Sequence, residues 1–194
     1  MEELVEKYKE CISKNNNNSY KYVLGLSILL IRPSAKIIKF EEIADKVVEI
    51  YFRNIFKYNL IEYKNKHHLP KVQHDMQSYF DKNGMVELLS LKQKKELVDL
   101  VVANKNNGFF KYVLPCFTGA KKDESGKYIY PNYGCNKFFS YDINKEEIIL
   151  TDEFFETIIK RYHELKFITI DKYILYLKGT NLENHHIAEI INYY

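Results

Sequence analysis

Tyr22-Val23-Leu24-Gly25-Leu26-Ser27-Ile28-Leu29-Leu30-Ile31 is apolar on every side of a helix, and Lys21 and Arg32 close it. A helix without a polar face has to be covered by protein or lipid. The run is too short for a bilayer, which takes about 20 residues, so it predicts the central helix of a protein core. It stops before Pro33 because the residue ahead of a proline is pushed out of the α region. The next run, Phe40 to Tyr58, places Ile43, Val47, Ile50, Tyr51 and then Asn54 or Ile55 on one helical stripe. Glu42/Lys46 and Glu49/Arg53 fall four apart on its outer side, glutamate first, the favourable order. This second helix is expected to lie on the first.

Upstream, Leu4, Tyr8, Cys11 and Ile12 give Glu2–Ser13 an apolar side, with acids near its positive end. Lys14 to Asn18 reads as a polar linker, and Ser19 as the cap of the central helix. Downstream, Asn59–Leu69 is a polar connection, and Pro70 suits the first position of a helix striped by Val72, Met76, Tyr79 and Phe80. Asn83-Gly84 ends it. Met85 to about Ala103 predicts another helix, with Val86, Leu89, Leu97, Leu100 and Val101 inward and Lys92, Lys94 and Lys95 midway, at a kink. Asn104–Gly108 is a loop.

At Phe109 the residue types change. Phe109–Leu114, Tyr128–Tyr130, Phe138–Tyr141 and Glu147–Leu150 are aromatic and β-branched, with Gly, Pro, Asn and Ser between them, which predicts short strands in hairpins or a small antiparallel sheet. Asn144-Lys145 suits a tight turn. Thr151-Asp152-Glu153 then opens a helix carried by Phe154, Phe155, Ile158, Ile159 and Tyr162. Phe167 to Lys178, ended by Gly179, and Asn181 to Tyr194 add two more. The expected fold is mainly α within α+β: a multi-helix bundle, one domain over 1–194, with N-terminal helices to about 105, a β insertion at 109–150 and C-terminal helices from 151.

The chain has 194 residues, 46% of them hydrophobic and 28% charged, enough for a sizeable core. Neither disorder nor a membrane class fits, and no membrane partner is expected. Cys11, Cys116 and Cys135 are odd in number and far apart, and the start is acidic, which favours a reducing cytoplasm over secretion. A net charge of +3 permits an anionic partner without arguing for one.

No phosphate-cradling glycine loop, no Gly-x-Ser-x-Gly elbow and no zinc-spaced cysteine pair occurs. His67-His68-Leu69-Pro70 mimics the His-x-x-Pro core of a ββα-metal nuclease site, in which a histidine activates water beside a divalent metal. A third ligand and a preceding hairpin are lacking, so a polar loop ahead of a proline-started helix is the better reading. His185-His186 point about 100° apart on a helix and suit the surface. No catalytic residue, metal ligand or cofactor is assigned. For nucleic acid, the candidate cations are Lys64, Lys66 and Lys71 around one connection, Lys92, Lys94 and Lys95 on a helix, and Lys121, Lys122 and Lys127 on a hairpin that could lie along a duplex as a wing does.

Four stretches carry a family resemblance: Ser19-Tyr20-Lys21-Tyr22-Val23-Leu24-Gly25-Leu26-Ser27, the entry Ile38-Lys39-Phe40-Glu41-Glu42-Ile43-Ala44 with Tyr51-Phe52-Arg53, Tyr112-Val113-Leu114-Pro115-Cys116-Phe117, and Ile148-Ile149-Leu150 through Ile174-Leu175-Tyr176-Leu177. In this order they resemble the N-terminal region of bacterial HNH endonuclease-type proteins of restriction and phage defence, over nearly the full length. In such proteins the nuclease follows this region, and its catalytic residues have no counterpart here. The resemblance implies a non-catalytic module that recognises double-stranded DNA or oligomerises. The reading from another class is a stand-alone interaction factor, such as a phage or mobile-element inhibitor that binds a defence enzyme and presents an exposed apolar patch.

Overall fold

The computed structural model describes residues 1–13, 18–64, 69–118, 121–122, 128–129, 138–181 and 184–194. Helix α2 (Tyr20–Ile31) is buried from Tyr20 through Leu29 except at Lys21, as an all-apolar helix requires. It ends where Arg32 takes a left-handed conformation ahead of Pro33 and donates its N–H to the Leu29 carbonyl. Four helices cover it: α1 (Glu2–Ser13), α3 (Phe40–Tyr51), α6 (Phe109–Thr118) and α7 (Asp152–Thr180). Its large side chains contribute roughly 1.5–3 kcal/mol each by leaving water, an upper figure.

Helix α3 buries Phe40, Ile43, Ala44, Val47, Val48, Ile50 and Tyr51, the expected stripe widened by its neighbours. Its start is held by Glu42, whose Oε2 accepts from the Lys39 backbone N–H at 2.8 Å. Helix α4 (Lys71–Asn83) follows Pro70, which caps it from outside, and stops at Gly84, where φ is +82°. Helix α5 (Leu91–Ala103) begins later than its apolar pattern suggests. Ser90 and Gln93 form a reciprocal cap, Ser90 Oγ accepting from the Gln93 N–H and Gln93 Oε1 from the Ser90 N–H. Lys92, Lys94 and Lys95 therefore stand in the first turns of α5 and not at a mid-helix kink.

The expected strand at Phe109–Leu114 is the helix α6. Phe109, Phe110, Val113, Leu114 and Phe117 are buried at helical intervals, and Phe110 stacks on Phe40 with centroids 4.0 Å apart. Burial of a helical stripe overrides the strand preference of these residue types. The other β expectations hold: β2 (Lys121–Lys122) pairs with β3 (Tyr128–Ile129), and β4 (Phe139–Asp142) pairs with β5 (Glu147–Leu150), all antiparallel. Asp142 Oδ1 closes the β4–β5 turn by accepting from the Asn144 and Lys145 N–H groups. The larger sheet also recruits β1 (Ile37–Lys39) from outside the insertion, in the order β1-β5-β4.

From Thr151, whose Oγ1 accepts from the Phe154 N–H, the two helices expected at 151–178 run on as α7. The break between them survives as a non-helical Arg161. Gly179 does not end α7; Asn181 caps it. Helix α8 (Ile187–Tyr193) is correspondingly shorter than expected. Among the described residues no helix is long and apolar enough to cross a membrane.

Gly25 sits where α1 crosses α2, and a Cβ there would lie 2.6 Å from the Tyr8 hydroxyl and 3.1 Å from Ile12 Cδ1. That hydroxyl is held by Thr169 Oγ1 at 2.9 Å in a closed interior, so it has little room to move. Gly25→Ala should therefore lower stability by about 1–3 kcal/mol, although an exposed helix position would gain about 1 kcal/mol from the same change. Urea unfolding measures the sign.

Candidate functional site

Of the sequence-chosen lysines, Lys66 and Lys127 lie outside the described residues, as do His67 and His68 of the nuclease-like fragment. Lys121 and Lys122 share strand β2. Lys64 is exposed, its Nζ 5.5 Å from the Tyr176 ring centroid. The remaining four are engaged by carboxylates. Lys71 pairs with Asp75, and Lys92 approaches Glu96 at 4.0 Å. Lys94 bridges Asp45 and Glu49, each at 2.6 Å, and Lys95 bridges Glu41 at 2.8 Å and Asp99 at 3.0 Å. Lys94 and Lys95 thus fasten α5 to α3. The structure joins these cations to acids and not to one another in an open basic face.

A different region gathers polar groups. Helix α3 passes into a π-helical turn, Phe52–Lys57, closed by the Tyr58 N–H on the Arg53 carbonyl. The wider turn shifts the phase of the helix, so Tyr51, Phe52, Arg53, Asn54 and Ile55 are all buried, which no single face of an α-helix allows. Arg53, expected on the outer side as the partner of Glu49, is instead only 6% exposed. Its guanidinium carbon lies 3.6 Å from the Tyr193 ring centroid and 4.2 Å from that of Tyr194.

After a left-handed Asn59 the chain returns through Leu60–Tyr63, and Glu62 enters the interior with no exposed surface. Its Oε1 accepts from Tyr173 at 2.5 Å and from Asn54 Nδ2 at 2.9 Å, while its backbone carbonyl accepts from the Ser19 N–H and the Tyr176 hydroxyl. Thr180 and Asn181 hold Ile61, and Asn184 holds the Tyr58 carbonyl. Buried without a hydrogen-bond partner are Arg53 Nε and Nη2, Asn54 Oδ1 and Glu62 Oε2.

Burial sets the electrostatics. It raises the Glu62 carboxyl above its usual 4.5, against the pull of Tyr173, Ser19, Asn54 and the Arg53 charge. Burial and the Glu62 charge together lift the Tyr173 phenol well above its usual range. Burial lowers the Arg53 guanidinium, with Tyr193 and Tyr173 opposing. Sealed from solvent, Glu62 ties the 58–63 segment to α2, the π turn and α7.

Outside this knot, Lys57, Tyr58, Asn59, the Gly179–Asn181 end of α7 and Asn184–His186 line an open cleft of about 760 Å³. His186 stacks on Tyr58 at 5.2 Å and shares Nδ1 with Glu189 at 2.8 Å. His185 and His186 are exposed, as their sequence predicts. Among the described residues no three of His, Cys, Asp or Glu are grouped to hold a metal ion.

A third feature is apolar. Met85 and Leu88, on the connection into α5, and Leu91, its first residue, are 54%, 80% and 89% exposed, while Val86 and Leu89 between them pack on the core. Comparison of the chain with protein-family models, curated proteins and solved structures found no match.

The raised Glu62 carboxyl has a measurable sign. The folded state holds this proton more tightly than the unfolded chain does, so the stability contributed by Glu62 falls as pH rises from 4.5 through the folded-state value. Glu62→Gln removes that slope. Denaturant unfolding at about pH 5 and about pH 8 should show the variant gaining on the wild type at the higher pH. A gap that ignores pH would mean that the carboxyl is not raised.

Proposed function

We propose that this chain is the non-catalytic oligomerisation region of an HNH-nuclease-like restriction or phage-defence protein of the cytoplasm, and that it pairs with a second copy of itself. The observation that carries this reading is the exposure of three large apolar side chains, Met85, Leu88 and Leu91, within one short stretch. Large apolar side chains grouped in the open mark an interaction surface. The same stretch carries both signs, with Lys82, Glu87, Lys92, Lys94, Lys95 and Glu96 along it. A two-fold interface brings one patch against itself, so it suits a surface carrying both signs. Covering the three side chains contributes roughly 1.5–3 kcal/mol each, against an association cost of about 4–15 kcal/mol, so the dimer is of modest affinity unless its rim adds to it. The defence setting rests on the quoted resemblance.

Recognition of double-stranded DNA is the second reading. In its favour, Lys121 and Lys122 stand on a two-stranded ribbon, a shape that can follow a groove. Lys71, Lys92, Lys94 and Lys95 would serve it only by leaving their carboxylates.

Sedimentation over a concentration series should show the wild type passing from monomer to dimer. Leu88→Asp with Leu91→Asp should hold it monomeric with an unchanged melting temperature, since both side chains face water. A monomer at every concentration overturns self-pairing. Fluorescence anisotropy with a labelled duplex across a salt series tests the second reading. Binding should weaken steeply with salt, and Lys121→Ala with Lys122→Ala should flatten the log–log slope by about two. An unbound duplex at low salt ends that reading.

A further inference from the structure

We propose that the cleft beside the π-helical turn binds a nucleoside monophosphate, its phosphate facing Lys57 and its base lying on the Tyr58–His186 stack. The lining offers the Lys57 ammonium, the Asn59 amide and the His185 ring, while the Thr180 hydroxyl and the Asn181 and Asn184 amides are spent on backbone carbonyls of Ile61, Leu177, Tyr58 and Asn59; no carboxylate is among the described residues that form it. Lys57 differs from the lysines of α4 and α5, because it enters no salt bridge among the described residues. Its Nζ lies 5.7 Å from the Tyr58 ring centroid, at the edge of the stack.

Behind this wall stands a second positive charge. Arg53 is nearly enclosed, with Nε and Nη2 lacking hydrogen-bond partners, and its field reaches Tyr58. A cation away from water projects a stronger field than one on the surface. Among the described residues, the acids near it are Glu62, engaged by Asn54 and Tyr173, and Glu189, which holds His186 and the Tyr58 hydroxyl. Each accepts from donors of its own, and Lys57, with no salt bridge among the described residues, is the cation left to meet a phosphate.

The Tyr58 and His186 rings are 14° from parallel and His186 is exposed, which leaves a planar surface for a base. The cleft, at about 760 Å³, lies in the size range of small-ligand sites. Its frame is rigid where it needs to be, since Asn181 and Asn184 bind the backbone of Ile61 and Tyr58 and keep the two walls together. The π turn that creates it belongs to a class of helix distortions often found at functional sites.

Isothermal titration of the full chain with AMP, adenosine and inorganic phosphate tests this. AMP should bind one to one, with adenosine and inorganic phosphate each weaker by about tenfold or more, one lacking the charge and the other the ring. Lys57→Ala should weaken AMP by about tenfold. His186→Ala should weaken AMP by a similar factor while leaving inorganic phosphate unchanged. Both side chains are exposed, so each variant should melt as the wild type does. No AMP binding at millimolar concentration, phosphate binding as tightly as AMP, or AMP binding indifferent to both substitutions overturns the proposal.

Discussion

A helix with no polar face sets the terms for the whole molecule. Water cannot satisfy any side of α2, so α1, α3, α6 and α7 must each present an apolar stripe to it. This demand explains why α6 is a helix in spite of strand-favouring residues. Its Phe110 meets Phe40, and its Phe117 meets Tyr8 and Phe138. The sheet has a subordinate part: Phe139 of β4, with Phe138 just before it, closes one end of the aromatic cluster, and the edge strand β1 leads directly into α3.

Beside the cover of α2, one place gathers several polar groups inside. The π turn carries Arg53 and Asn54 into the interior, and Glu62 follows from the returning segment. A buried carboxylate needs donors, and Tyr173 and Asn54 supply them from two different helical segments. Such a knot joins parts of the chain that apolar packing alone would leave free to slide, because hydrogen bonds fix direction where burial does not. The cleft follows from the same geometry, lying between the end of the π turn and the end of α7.

The lysines show why a list of cations is a poor map of a binding face. Lys94 and Lys95 look alike in sequence to any solvated base, yet both clasp acids of α3 across a helix interface. Their acids, Glu41, Asp45 and Glu49, lie about fifty residues upstream, and only the pairing of α3 with α5 reveals them.

The central helix, the amphipathic helix that lies on it, the mainly helical class, the β4–β5 hairpin and the capped start of α7 are all legible in the residues alone. These rest on local periods and local turn chemistry, which a chain carries wherever it goes. Long-range packing makes Phe109–Thr118 helical, brings Ile37–Lys39 into the sheet and carries Arg53 and Glu62 inside. In each case the deciding partner is remote in sequence: Phe40 for Phe110, Ile148 for Ile38, Tyr173 for Glu62 and Tyr193 for Arg53. The candidate cleft was illegible for the same reason. Its residues come from two stretches more than a hundred positions apart, and a window along the chain holds no record of which distant surface will meet it.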